Sequence, residues 1–176
     1  MLWLVAGVAS AGSAVQAATV AELDREADEA LARLYATSPK AKELGDRARA
    51  VLIFPKIVKA GLVVGGQGGD GVLRAGGRTE GYYRIAAASY GLQVGAQTFS
   101  FALFFITQSA LDYLDKSNGW AIGSGPSIVV LDKGRARATN TTTLKQDVYA
   151  VPFGQKGLMA GLGLEGSRIS RIEPAA

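Results

Sequence analysis

The chain has no cysteine and no histidine among its 176 residues, and these two absences remove most ways of building an active site. Without cysteine there is no disulfide, no thiolate nucleophile, no cysteine-ligated zinc and no acylated lipoprotein cysteine. Without histidine there is no Ser-His-Asp triad, no helical His-x-x-x-His metal pair, and no side chain that titrates unaided near neutrality. No Gly-Lys-Ser or Gly-Lys-Thr triplet occurs, which excludes a Walker A phosphate loop. Serines such as Ser124 and Ser127 have no base in the sequence to activate them. No run of basic residues interleaved with aromatics reaches the density of a nucleic-acid binder. The expectation is a non-enzymatic protein with no cofactor, no metal and no nucleic-acid partner.

What is abundant is glycine, 23 residues of 176 against a usual share of about 7%. That excess announces unusual backbone geometry or close packing. A chain of this length suits one domain and can bury roughly 70% of its unfolded surface. Leu2 to Val15 is an uncharged apolar run, and Val15-Gln16-Ala17 suits signal-peptidase cleavage before Ala18. An apolar stretch of about 7–15 residues fits export, whereas a membrane span needs ~20. Residues 1–17 therefore read as a signal peptide and residues 18–176 as one domain, periplasmic or secreted, with or without membrane association. A membrane-anchored or buried N-terminal helix is the competing reading. The mature domain keeps the full net charge of +4. Its basic bias is concentrated between residues 51 and 90, where Lys56, Lys59, Arg74, Arg78 and Arg84 face Asp70 and Glu80 alone. Such a bias favours an anionic surface.

Helical periodicity comes first. Val20, Leu23, Ala27, Ala30, Leu31 and Leu34 recur at three- and four-residue steps, and the opposite face from Glu22 to Arg33 holds five acids and two bases. Ser38 and Pro39 suit the cap and first position of a second helix, with Leu44, Ala48 and Val51 on its apolar side and Phe54-Pro55 as its stop. From Ile57 the period becomes two. Strands are expected near 58–65, 71–75, 80–88, 90–97 and 98–106, then a helix at 107–116. Further strands are expected near 120–123, 127–131, 135–139, 145–151, 157–165 and 168–172. Strands joined by glycine-rich turns, with few helices between them, argue for an antiparallel sheet. The predicted fold is α+β: N-terminal helices packed on a glycine-rich, mainly antiparallel curved sheet or partial barrel. The small residues from Ala86 to Ala96 suit tight layer contacts or strong curvature.

Gly66-Gln67-Gly68-Gly69-Asp70-Gly71 matches the dinucleotide fingerprint in letters. The fingerprint requires a helix to open there and present free amides to a pyrophosphate. Val72-Leu73-Arg74-Ala75-Gly76-Gly77 reads instead as strand and turn, so a glycine-rich hairpin is the expectation. Asp112 and Asp115 are spaced to share a cation on the short helix, but solvated acids are the commoner meaning of that pattern. Asp70 lacks the spaced acidic companions of a calcium loop. Asn140-Thr141-Thr142 is a glycosylation sequon where the host has the machinery.

Three stretches resemble the SYLF domain. Val51-Leu52-Ile53-Phe54-Pro55-Lys56-Ile57-Val58-Lys59-Ala60-Gly61, running on to Gly71-Val72-Leu73, is similar to its opening. Tyr90-Gly91-Leu92-Gln93-Val94-Gly95-Ala96-Gln97 resembles its central signature, and Gly157 to Ser167 its closing Gly-Leu-x-Ala-Gly-x-x-Leu-Glu-Gly-Ser. The resemblance covers roughly residues 20–172 and implies a lipid-binding module. Eukaryotic relatives are associated with phosphoinositide membranes and with actin; bacterial ones are typically exported stand-alone domains. This chain differs in having an acidic first helix and no cysteine to acylate. Two functions follow as expectations. One is binding of anionic phospholipid through Lys40, Lys42, Lys56 and Lys59, drawn together by the short connection at Phe54-Pro55. The alternative is a structural or protein-interaction domain of the cell envelope, actin-binding-like, with no lipid ligand.

Overall fold

The first helix begins where the sequence places it. In a computed structural model, which describes residues 18–61, 64–90, 95–131, 144–157 and 166–176, α1 spans Val20–Thr37. The Thr19 hydroxyl accepts from the Glu22 amide at 3.3 Å, and the Glu22 carboxylate accepts from the Thr19 amide at 3.0 Å. This reciprocal capping box satisfies two of the amides that a helix start leaves open. Helix α2 (Pro39–Arg47) starts on Ser38, whose side chain accepts from Ala41, with Pro39 in the first turn. Leu23, Ala27, Ala30, Leu34, Ala41 and Leu44 form the buried stripe.

The second helix is shorter than the periodicity suggests. It ends at Arg47, and β1 runs Ala50–Gly61 straight through Pro55. Ala50-Val51-Leu52-Ile53-Phe54 is buried at every position because this strand has apolar layers on both faces. A short continuous apolar run does not distinguish strand from helix by period. Pro55 sits where the register of β1 shifts between Phe54 and Ile57. A bulge is where a sheet tolerates a residue without an N–H.

Strands β2 (Val64–Ala75), β3 (Arg78–Tyr90) and β4 (Gly95–Phe105) follow, then α3 (Gln108–Lys116), β5 (Trp120–Ala121), β6 (Ile128–Val130), β7 (Val148–Gly157) and β8 (Arg168–Ile172). They form one sheet in the order β5-β8-β3-β2-β1-β4-β7-β6, antiparallel except for β6 beside β7. The sheet curls strongly. Five strand spacings separate β4 from β5, about 24 Å in a flat sheet, yet the rings of Phe105 and Trp120 lie 6.1 Å apart. The predicted α+β architecture, helices on a mainly antiparallel curled half-barrel, is the one observed.

Each face of the sheet has its own core. Inside the curl, Leu52, Phe54, Ile57, Tyr83, Ile85, Phe99 and Trp120 pack with Ala110 and Leu114 of α3. On the outside, the stripe of α1 and α2 packs on Val51, Ile53, Val72, Ala102, Phe104 and Tyr149. Polar contacts tie α1 down. Arg74 pairs with Asp28 at 2.8 Å, while Asp24 accepts from the Tyr82 hydroxyl at 3.1 Å and the Thr79 hydroxyl at 3.1 Å.

The glycine expectation needs correction. Residues 66–71 are strand interior, not a turn, and none of their glycines has positive φ. The β2–β3 turn lies at Gly76 and Gly77, with φ of 57° and 76°, the two left-handed positions a two-residue hairpin favours. Gly69 and Gly71 serve close packing instead: a Cβ on Gly71 would lie 2.5 Å from the Phe54 ring. Because the strand continues to Ala75, no helix opens after the glycines and no dinucleotide turn exists there. Residues 95–105 of the strands predicted at 90–97 and 98–106 form β4, Tyr90 ends β3, and the strand predicted at 58–65 belongs to β1 and β2. The signal peptide at 1–17, the strand at 135–139, the sequon at 140–142, Gly91 to Val94 and most of 157–165 lie outside the described residues.

Candidate binding surface

Strands β1 to β4 extend beyond the helices, and their distal end is built from small residues. The outward positions there are Val58 and Ala60 on β1, Gly68 and Gly66 on β2, Ala86 and Ala88 on β3, and Thr98 and Ala96 on β4, matched in register. Ala60, Ala86, Ala88 and Ala96 are exposed, and Val58, at 42%, is one of two large apolar side chains exposed among the described residues. Among the described residues nothing covers this face of short, mostly apolar side chains. Its border holds three bases, Lys56, Arg84 and Arg168, against Glu26 and Asp70. Lys56 is exposed beside Pro55, in a shallow depression of about 210 Å³ that it shares with Ala18, Leu23, Glu26 and Asp70. Arg84 donates twice to Asp70, at 2.7 and 3.0 Å, and this carboxylate raises its pKa further. Arg168 pairs with Ala86 in register and donates to the Asn118 carbonyl at 2.9 Å.

The inward face of the same end is polar. Gln67, Lys59 and Gln97 stand opposite one another on β2, β1 and β4. One pair deeper, Ile57 and Phe99 belong to the inner core; one pair farther out, Gly61 is opposite Gly65 and Gly95. Gln67 donates to the Ser167 hydroxyl at 3.1 Å. Gln97 is 5% exposed, and its Oε1 has no hydrogen-bond partner among the described residues. Lys59 was expected at an anionic-lipid site with three other lysines; no role was expected for Gln67 and Gln97. The available clue is phase: Gln97 stands two residues before Phe99 and four before Phe101, so a strand puts all three on one face.

The four predicted lysines do not converge. Lys56 lies beside the first turns of α1, whereas Lys40 and Lys42 follow its last turn. From Glu26 to Thr37 is 11 residues, about 16 Å of helix at 1.5 Å per residue. Lys42 is ion-paired with Asp46 and lies 5.7 Å from the Tyr35 ring centroid. Lys59 is on the inward face with Gln97, away from Lys56. The short connection at Phe54-Pro55 is a strand running on, not a turn folding these residues together. Of the neighbouring arginines, Arg74 is committed to α1, and Arg78 is exposed at the opposite end of β3 from Ala88. Asp112 accepts from Gln108 at 2.8 Å and Asp115 pairs with Arg171 at 3.3 Å, so their partners differ.

Residues 86–175, just over half of the chain, match the family model Ysc84, described as Las17-binding protein actin regulator. No curated protein shows a significant match. The matched segment runs from the distal half of β3 to the C terminus, including β4 and the β8 edge, while the helices, β1 and β2 precede it. The resemblance read from the three motifs and the family match agree: the chain belongs to the Ysc84, or SYLF, family of binding domains associated with lipid and actin.

Proposed function

We propose that this protein is a non-enzymatic lipid-binding domain of the cell envelope, which rests the distal end of its sheet on anionic phospholipid. The observation that carries this reading is the uncovered apolar face of Val58, Ala60, Ala86, Ala88 and Ala96 beside Lys56, Arg84 and Arg168. An exposed apolar patch rimmed by polar groups marks an interaction surface. A flat patch of short side chains settles at the headgroup boundary without deep insertion, and the basic border meets phosphates. Each basic residue near an anionic leaflet contributes about 1 kcal/mol. Asp70 offsets part of the contribution of Arg84, and Glu26 and Asp70 line the depression that holds Lys56, so Lys56 and Arg168 share the electrostatic contact. The acidic exposed side of α1, with Glu22 and Glu29, is repelled by the same leaflet and orients the helices away from it. The export expected of residues 1–17 would bring the domain to envelope membranes.

Vesicle flotation tests the reading. The protein should float with vesicles containing anionic lipid at about 0.1 M salt and much less at about 1 M, where the Debye length falls from ~10 to ~3 Å. Phosphatidylcholine vesicles should not carry it. The pair Val58→Asp and Lys56→Glu should abolish flotation, while Lys40→Glu with Lys42→Glu should leave most of it. The reverse pattern would move the site to α2. A wild type that never floats would leave the protein-interaction reading, which the family description as an actin regulator favours.

A further inference from the structure

Asparagine occurs at positions 118 and 140, and only Asn118 is followed by glycine. The pair Asn118-Gly119 links the end of α3 to Trp120, which is wholly buried and pairs with Ile169 of β8. Asn118 itself is exposed. Two observations fix this link. Gly119 has a φ of 103°, which suits glycine, and a Cβ there would lie 2.6 Å from Arg168 Nε. Arg168 Nη2 donates to the Asn118 main-chain carbonyl at 2.9 Å. The fold therefore requires glycine after an exposed asparagine and sets a guanidinium on the peptide group that joins them.

That combination has a chemical consequence. A main-chain nitrogen that has given up its proton can attack the side-chain amide of the residue before it, and glycine puts no side chain in the way. The amide anion spreads its charge onto the carbonyl oxygen, here the oxygen Arg168 holds, so a charge-assisted hydrogen bond favours it. Gly119 N then bonds to Asn118 Cγ, the Cγ–Nδ2 bond breaks, and Nδ2 takes up the proton and leaves as ammonia. The resulting five-membered imide consumes one water. Opening at Cγ gives aspartate. Opening at the former main-chain carbonyl gives isoaspartate, and that carbonyl carbon becomes a free carboxylate. Arg168 polarises this second carbonyl and directs water to it.

We propose that Asn118 is a self-modification site: the folded protein converts it to isoaspartate, whose new carboxylate forms on Arg168 and neutralises one base of the membrane-facing border. The conversion stands on the link itself; its effect on membranes rests on the lipid-binding reading.

Protein held in mildly alkaline buffer, native or in urea, is digested with trypsin and mapped by mass. In the native sample the peptide from Ser117 to Lys133 should gain the mass of an amide turned acid, with isoaspartate exceeding aspartate. The peptide holding Asn140, where β-branched threonine follows, should stay unchanged. Arg168→Gln should slow the native conversion about tenfold, the scale of one charge-assisted hydrogen bond. Conversion in urea with none in native protein would overturn the proposal, and equal rates in Arg168→Gln and wild type would overturn the part given to the arginine. Binding to anionic vesicles reads the consequence. Loss of one base should weaken converted wild type about fivefold against fresh protein, while Asn118→Gln, held alongside, should keep its binding. Converted protein that binds as fresh protein does would overturn the neutralisation. If fresh protein never binds, the lipid reading falls and the peptide map decides the modification by itself.

Discussion

Replacing Gly71 by alanine should be among the most damaging single-methyl additions in this fold. A Cβ there would lie 2.5 Å from Phe54 Cδ1 and 2.7 Å from the Ile53 carbonyl oxygen. Phe54 is wholly buried in the inner core, and Ile53 belongs to the β1–β2 ladder, so neither group can swing clear into solvent. Relief requires rotating Phe54 against its neighbours or parting the two strands. Overpacking costs typically about 1–3 kcal/mol, and a clash with both ring and backbone places this case near the upper end. At about 2–4 °C per kcal/mol for a domain of this size, the midpoint should fall by roughly 6–12 °C. Gly68 provides the control. A Cβ there meets nothing nearer than the Ile85 carbonyl at 3.5 Å. Removing a strand glycine stabilises by roughly 0.5–1 kcal/mol, so Gly68→Ala should melt at or slightly above wild type. Thermal unfolding followed by circular dichroism measures both. If Gly71→Ala melts with wild type, or the two variants fall equally, close approach is not why these glycines are there.

Other perturbations probe the attachments. Asp24→Ala removes the acceptor of Tyr82 and Thr79 and one partner of Arg74, and should cost about 2 kcal/mol while speeding amide exchange in α1 above that in β1–β4. Asp147 accepts from the Ser127 amide at 2.9 Å and the Thr107 hydroxyl at 2.8 Å; the Ser127 amide is the main cause holding its carboxyl below the usual range, with Thr107 next. A depressed folded pKa stabilises above the unfolded value of about 3.9 and is lost as pH falls through the folded one. Asp147→Asn should therefore melt lower than wild type at pH 7, and the gap should narrow as pH drops below about 4; a gap that is constant from pH 7 to pH 2 would contradict this assignment.

The parts of the fold that were legible in the sequence are those with local causes. Ser38 with Pro39 is a cap whose chemistry lies within three residues. The misreadings have tertiary causes. Ala50 to Phe54 shows no strand alternation because α1 covers one face while the curled sheet buries the other. Gly69 and Gly71 resemble turn residues until β1 is brought against them. The four predicted lysines stand apart for a simpler reason. Lys56 and Lys59 are three residues apart, a spacing that shares a face on a helix and divides across a strand. Gln67, Gln97 and Ser167 come together only when β2, β1, β4 and β8 take their places in the sheet.

Because the chain has no native cysteine, a label can be placed at any chosen position, and this gives the most direct test of which face meets a membrane. Environment-sensitive fluorophores on Ala60→Cys, Ala96→Cys and, as a control on the exposed side of α1, Ala32→Cys would be read with and without anionic vesicles. A blue shift and protection from an aqueous quencher are expected at positions 60 and 96, both reversed by high salt, with no change at position 32. A response at position 32 with none at 60 and 96 would place the helices on the membrane and contradict the central claim.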